Sequence, residues 1–343
     1  MKYLSVCSGI EAATVAWHPL GWAPVAFSEI EPFPSKVLAH HYPTVPNLGD
    51  MTKFKEWPDA NVDVLVGGTP CQSFSVAGLR KGLDDPRGNL MLTYLAIAAR
   101  YRPQWLVWEN VPGVLSSNGG RDFASLLRGM AELGYGFAYR VLDAQFFGVA
   151  QRRRRVFVVG CLGDWRRAAA VLFERHSLSG HPAPRRAPGQ RASSTLRTRA
   201  PGSGGQGTDF EQVTKLSDVA PCLDAMMDKK FGSNQCVDSG QFVLCASDGQ
   251  ANASIEEDLC PSLTRTVEQP YITGKVVRRL TPIECERLQG FPDDYTDIRP
   301  KGKPTPDGPR YKGLGNSMAV PVMGWIGQRI NSAEVVLSME AVA

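Results

Sequence analysis

Val62-Asp63-Val64-Leu65-Val66-Gly67-Gly68-Thr69-Pro70-Cys71-Gln72-Ser73 is the stretch that decides the fold. A short apolar run closed by two glycines predicts a buried strand of an α/β sheet. Ligands of such sheets bind beyond the carboxyl ends of the strands, which is where Cys71 falls. Pro70 fixes the backbone just before the sulfur, and the glycines let a substrate approach the main chain closely. An isolated free cysteine more often behaves as a small buried hydrophobe. Its neighbours favour chemistry.

Thirty-eight residues on, Trp105-Leu106-Val107-Trp108-Glu109-Asn110-Val111 is a second apolar run with an acid at its end. If it is the next parallel strand, Glu109 emerges at the same sheet edge as Cys71, a nucleophile and an acid in reach of one substrate. Alone, such an acid reads equally as a solvated residue or a helix cap.

Outward from these runs the pattern alternates. Strands are predicted at 3–7, 24–30, 62–66, 105–111 and 155–160, and helices at 11–20, 33–41, 90–101 and 122–134, the last with Phe123, Leu126, Leu127, Met130 and Leu133 on one stripe. This order predicts a parallel, doubly wound α/β sheet. Residues 176–207 shift to Pro, Gly, Ser and Arg, a domain boundary or mobile region. Order returns at Thr281-Pro282-Ile283-Glu284, a capping box with proline at the first helical position. A final helix at 317–330 contains Pro321, which starts or kinks it.

Composition bounds the function. At 343 residues, 43% apolar and 21% charged, the chain can bury a sizeable core and divides into two domains. No apolar stretch reaches bilayer length, and the N-terminus leads into a strand, so the cytoplasm is the default location and no membrane partner is expected. Eight cysteines without a Cys-x-x-Cys pair read as reduced thiols and argue against a metal site. Residues 151–200 hold twelve arginines against Asp164 and Glu174, leaving the remaining chain acidic on balance. Such a block is a solubilising face, a disordered arm or, beside a catalytic cleft, a seat for a polyanion, since guanidinium forks match phosphate oxygens.

Ser8-Gly9 follows the first strand, and Glu29 ends the second twenty residues later, the spacing at which an acid meets ribose hydroxyls. Positions 11 and 12 are Glu and Ala where a dinucleotide fingerprint carries glycine. A nucleoside cofactor without phosphates fits this partial match, as does a purely structural strand-to-helix turn.

Taken in order, these segments resemble the cytosine-C5 DNA methyltransferases, within them the short phage and prophage-type bacterial members. The motifs are Ser8-Gly9, Ser28-Glu29, Gly49-Asp50-Met51, Pro70-Cys71-Gln72, Glu109-Asn110-Val111, Gln151-Arg152-Arg153-Arg154-Arg155, Arg287-Leu288-Gln289-Gly290-Phe291-Pro292 and Gly315-Asn316-Ser317. The resemblance implies a Rossmann-like, doubly wound, mostly parallel sheet of the S-adenosylmethionine-dependent methyltransferase type, with a smaller, irregular target-recognition domain. It places the catalytic, cofactor-binding domain at 1–163 and 311–343 and target recognition at 164–310, with 176–207 flexible. Double-stranded DNA containing a specific cytosine site is the implied partner, S-adenosyl-L-methionine the implied cofactor and a monomer the implied state. A companion restriction endonuclease is left open.

By the same resemblance Cys71 is the nucleophile, Glu109 the acid at the cytosine ring, and Arg153 and Arg155 hold the flipped nucleotide and its phosphates. Ser8, Gly9, Ile10, Glu29, Ile30, Asp50, Met51, Pro70, Leu90, Asn316 and Ser317 surround the cofactor, and 72–89 is a mobile loop that closes over DNA. The chain departs from the family pattern at Cys7, where phenylalanine is frequent, and at Glu11-Ala12, where Gly-Gly is usual. A tRNA cytosine-C5 methyltransferase and a catalytically silent nucleic-acid-binding protein are the competing readings.

Overall fold

The computed structural model describes residues 1–70, 90–174, 195–196, 244–246, 255–257, 271–273 and 277–340. Its main sheet has six strands, β1 (Lys2–Val6), β2 (Ala23–Ser28), β3 (Val64–Gly67), β4 (Trp105–Asn110), β5 (Tyr135–Asp143) and β6 (Arg154–Leu162), in the order β2-β1-β3-β4-β6-β5. The pairings β2–β1, β1–β3 and β3–β4 are parallel, whereas β6 runs antiparallel to both β4 and β5. The predicted doubly wound, mostly parallel sheet is therefore present. One strand, β5, has no counterpart in the sequence pattern.

Both faces of the sheet are covered, which is why its strands read as continuous apolar runs. Leu4, Val6, Leu65, Leu106, Trp108, Val156 and Val158 face one core. They pack there with α3 (Leu90–Tyr101) and with Phe123, Leu126 and Met130 of α4 (Arg121–Glu132). Tyr3, Val64, Val66, Trp105, Val107, Phe157 and Val159 face the opposite core, closed by α1 (Ala12–Trp17), α5 (Trp165–Leu172) and α8 (Val320–Glu340). Trp17 seals this layer by donating its indole N–H to the Met323 carbonyl at 2.8 Å.

A third cluster joins Ile10, Val37 of α2 (Pro32–His41), Cys285 of α6 (Pro282–Gln289), Phe291, Tyr295 and Leu314 of α7 (Asp307–Asn316). It ties the segment after residue 280 to the first two helices. The capping box on Thr281 is formed, and Pro321 sits at the second position of α8, starting that helix rather than kinking it. Five short strands, β7 (Thr195–Leu196), β8 (Leu244–Ala246), β9 (Ile255–Glu257), β10 (Tyr271–Thr273) and β11 (Val277–Arg279), form a second sheet in the order β11-β10-β8-β9-β7. The remainder of the predicted boundary at 176–207 lies outside the described residues.

The turn from β1 to α1 departs from the expected helix at 11–20. Glu11 precedes the helix as its N-cap in left-handed backbone, φ 67° and ψ 61°, and a 3-10 turn replaces the last residues, 18–20. Its carboxylate, 1% exposed, accepts hydrogen bonds from the Thr14 amide and hydroxyl and from the Ser5 hydroxyl. Burial pushes this carboxyl from 4.5 up to about 7, against the pull of those three donors.

A raised carboxyl pKa means that the folded chain holds a proton that the unfolded chain releases. Glu11's contribution to stability is therefore complete below about pH 4.5 and lost as pH rises through 7, a change of about 3 kcal/mol. Chemical denaturation of wild type and Glu11→Gln at pH 5 and pH 8 measures it. The wild type should lose more stability than the variant between those two conditions, and parallel losses would contradict the assignment.

Candidate active site

The carboxyl ends of β1, β2, β3 and β4 open into one cavity of about 770 Å³, a size suited to a nucleoside-sized ligand. Gly9, Glu29, Ile30, Asp50, Met51, Pro70, Leu90, Glu109, Arg153, Arg155 and Asn316 all line it. Residues distributed over three hundred positions of sequence thus converge on one space. Ser8 and Ser317 line a smaller side pocket next to it. Ile10 lines neither; its side chain is buried in the third core cluster, and its carbonyl accepts the Tyr295 hydroxyl at 2.9 Å. Cys71 and the loop 72–89 lie outside the described residues.

Glu109 stands where β4 leaves the sheet, 8% exposed. Its Oε1 lies 3.2 Å from Arg155 Nε. Antiparallel pairing of β6 with β4, Asn110 opposite Val156, brings the start of β6 beside the end of β4 and so makes this contact. Arg153, buried two residues earlier, donates to the Gly315 and Ser317 carbonyls at 3.0 and 2.6 Å, clamping the junction between α7 and α8 against the site. Burial pushes the Glu109 carboxyl above its ordinary range, opposed by the guanidiniums of Arg155 and Arg153. Burial also lowers Arg153, to about 9, so it stays charged at neutral pH.

The segment leading to Cys71 is pinned from β4. Trp108 Nε1 donates to the Thr69 hydroxyl at 2.9 Å, and Asn110 Nδ2 donates to the Thr69 carbonyl at 2.8 Å. Pro70 then forms part of the cavity wall, one residue short of the cysteine. Gly68, one of the two glycines expected to leave room for a substrate, makes room for a protein side chain instead. A Cβ there would stand 2.8 Å from Glu109 Oε2 and 3.3 Å from Met318 Cε, so only glycine leaves the carboxylate in place.

At the opposite end of the cavity, Glu29 accepts the Gly9 amide at 2.8 Å and the Glu31 amide at 2.7 Å. Gly9 itself is left-handed, φ 57°, with open space where a Cβ would stand, so backbone conformation rather than crowding favours glycine here. Ile30, 69% exposed, presents a bare apolar surface at the rim beside Phe33. Asp50 caps the turn that follows it by accepting the Thr52 amide and hydroxyl.

A family model for C-5 cytosine-specific DNA methylases matches residues 1–332. The chain belongs to that family. A protein of Escherichia phage P1 named DNA N-6-adenine-methyltransferase is 36% identical over 473 aligned residues, covering 96% of this chain but 61% of that protein. Type II methyltransferase M.HpaII of Haemophilus parainfluenzae is 28% identical, with 96% of this chain and 88% of the relative covered. The solved S. pombe Dnmt2 methyltransferase superposes with a TM-score of 0.59 at 17% identity, over 97% and 99% of the two chains, a likeness of fold.

The cofactor of this methylase family is S-adenosyl-L-methionine, and the cavity fits it. Ile30 offers an exposed apolar surface on which a base could stack, and Glu29, at the end of β2, has a carboxylate that could accept hydroxyl protons. Replacing Gly68 by alanine should displace the Glu109 carboxylate and lower kcat about 100-fold, the usual result of an ångström of misplacement. Steady-state kinetics and a thermal melt check this. A variant with wild-type kcat would show that the close approach does not matter.

Proposed function

We propose that this protein transfers a methyl group from S-adenosyl-L-methionine to carbon 5 of a cytosine flipped out of duplex DNA, through a covalent bond between Cys71 and carbon 6. The observation that carries the reading is Glu109. It is a buried carboxyl with a raised pKa, aimed by Arg155 at the wall of the cofactor cavity to which Pro70 delivers the chain just before Cys71.

Carbon 5 of cytosine is a weak nucleophile until a group adds at carbon 6. The Cys71 thiolate supplies that bond, and the displaced electron pair moves through the ring toward N3. A protonated Glu109 donates to N3 and accepts from the exocyclic amine, which favours the addition and selects cytosine. The bound cofactor supplies an electrophilic methyl, carried on a sulfonium, to the activated carbon 5. Loss of the carbon 5 proton to a base then breaks the carbon–sulfur bond and frees Cys71.

The target base is out of reach inside a helix, so flipping costs a few kcal/mol that protein contacts must offset. Arg154 is exposed next to the buried Arg153 and the largely buried Arg155, and with the other arginines of 151–200 it supports a polyanionic partner. The short antiparallel strands between 195 and 279 form a sheet of their own and support a target-recognition role for that part of 164–310, whereas 165–172 and 280–295 pack with the layers of the main sheet. A companion restriction endonuclease accords with the Type II relatives.

A second reading comes from the phage P1 relative, whose name specifies adenine N6. An exocyclic amine attacks a methyl directly and needs neither a thiol adduct nor a proton at a ring nitrogen. Incubation with radiolabelled cofactor and either duplex DNA or tRNA, followed by nucleoside analysis, separates the possibilities. Label in 5-methylcytosine of DNA is the expected result. Label in N6-methyladenine, label in tRNA alone or no label would overturn it.

Two variants test the chemistry. Cys71→Ser should abolish methyl transfer while retaining DNA binding in a gel-shift assay. Glu109→Gln should lower kcat by roughly 10²- to 10⁴-fold, the range for loss of a positioned proton donor. Because the Glu109 pKa is raised, wild-type activity should fall as pH climbs through that value and the acid form disappears. The Glu109→Gln variant should lose this limb of its pH–rate profile, and its persistence there would exclude Glu109 as the donor.

A further inference from the structure

Glu11 is a buried ionisable group whose role as the cap of α1 leaves its choice over a shorter side chain unexplained. Its side chain is buried, its backbone is held in the left-handed region, and among the described residues no lysine, arginine or histidine lies within ion-pair distance. The titratable groups that act on it or respond to it are Tyr3, Glu29, Tyr42 and Tyr295, none of which brings a positive charge. Three hydrogen bonds from Ser5 and Thr14 fix its orientation but bring no opposite charge to its ionised form. Capping α1 needs no such arrangement, since a short Ser, Thr, Asp or Asn does so without strain. A buried carboxylate lacking a counter-charge is costly unless something with the opposite charge arrives.

The space beside it shows where a cation could arrive. Glu11 and Ser5 line a side pocket of about 40 Å³ together with Ser8, Ser317 and Met318. That volume admits a few heavy atoms. Cys7, Gly9, Gly68, Glu109 and Asn316 border both this pocket and the main cavity, so the two adjoin. A ligand with its nucleoside end over Ile30 and Glu29 can therefore send a short chain toward Glu11.

We infer that Glu11 binds the α-ammonium of the cofactor's methionine moiety, making the side pocket the seat of the amino-acid head group. S-adenosyl-L-methionine carries two positive centres, and the ammonium is the one that suits this site. It donates hydrogen bonds, which a carboxylate can accept, whereas a sulfonium has none to give. A carboxylate beside the sulfonium would also be a nucleophile in reach of the electrophilic methyl. The head group seated at Glu11 instead leaves the sulfonium to the wider cavity. Glu11 is thus a binding residue for the cofactor, placed at a position where the family usually has glycine. The high resting pKa of the carboxyl accords with a site waiting for a cation.

The inference rests on the cofactor, and it is independent of whether cytosine in DNA is the acceptor. Calorimetric titration of the full chain with three ligands tests it: S-adenosyl-L-methionine, S-adenosyl-L-homocysteine and 5′-methylthioadenosine. The first two carry the ammonium, and the third lacks the whole amino-acid head. Glu11→Gln should weaken the first two by roughly 10- to 100-fold, the value of a charge-assisted hydrogen bond. Binding of 5′-methylthioadenosine should be unchanged, which also shows that the nucleoside site is intact. Glu11→Gly, which suits the left-handed backbone and removes the carboxylate, should give the same selective loss with a wild-type far-ultraviolet spectrum. Equal weakening of all three ligands in both variants would make Glu11 a structural cap, and unchanged binding of all three would remove it from the site. Either result overturns the assignment.

Discussion

The ion pair between Glu109 and Arg155 is the constraint on which the rest of the site depends. Both side chains are largely withdrawn from water. Loss of one partner would leave the other buried and unmatched, a penalty of roughly 3–5 kcal/mol. The pair exists because β6 runs against β4, which brings the first residues of β6 to the edge where β4 ends. Arg153, from the same strand entry, reaches in the other direction and holds the carbonyls of Gly315 and Ser317. One short arginine-rich segment thereby fastens the acid, the cofactor wall and the C-terminal helix to each other.

The same economy of placement governs the rest of the cavity. Thr69 is gripped through both its hydroxyl and its carbonyl by β4, so the chain leaving β3 has a fixed direction as it approaches Cys71. Gly68 permits the close packing of that chain on Glu109. At the opposite end Glu29 braces two backbone amides, and the β1–α1 turn holds a carboxylate in strained backbone. Strain and buried charge concentrate around the cavity, where preorganisation for a charged ligand can compensate for them.

Much of the architecture was legible in the residues. The strands at β1 to β4 and the helices α3 and α4 followed from apolar runs and a clear 3.6-residue stripe, and the Thr281 box announced α6. Others were not, among them α5, the short strands of the second sheet, β5 and α7. β5 contains Gly136 and mixes apolar with polar positions; the glycine is required because a Cβ there would overlap the backbone of Trp165. α7 carries Gly308, Pro309, Gly313 and Gly315, each a poor helix residue, yet it forms. Packing of Gly313 on Ile10 and Phe33, and a hydrogen bond from Gln289 to the Leu314 carbonyl, hold it in place.

The sequence by itself determined the kind of chemistry available: a cysteine and an acid at strand ends, an acid after the second strand, and an arginine cluster, in an order that resembles one family. Those are local facts, set by residue type and by spacing along the chain. Only the tertiary structure decided which of these groups meet. Strand direction set where Arg155 emerges, Ile10 turned into the core, and Gly68 came to pack against Glu109. The physical reason is that contacts between β4 and β6, or between Arg153 and residue 315, are chosen by burial across the whole sheet, which no local window of sequence contains.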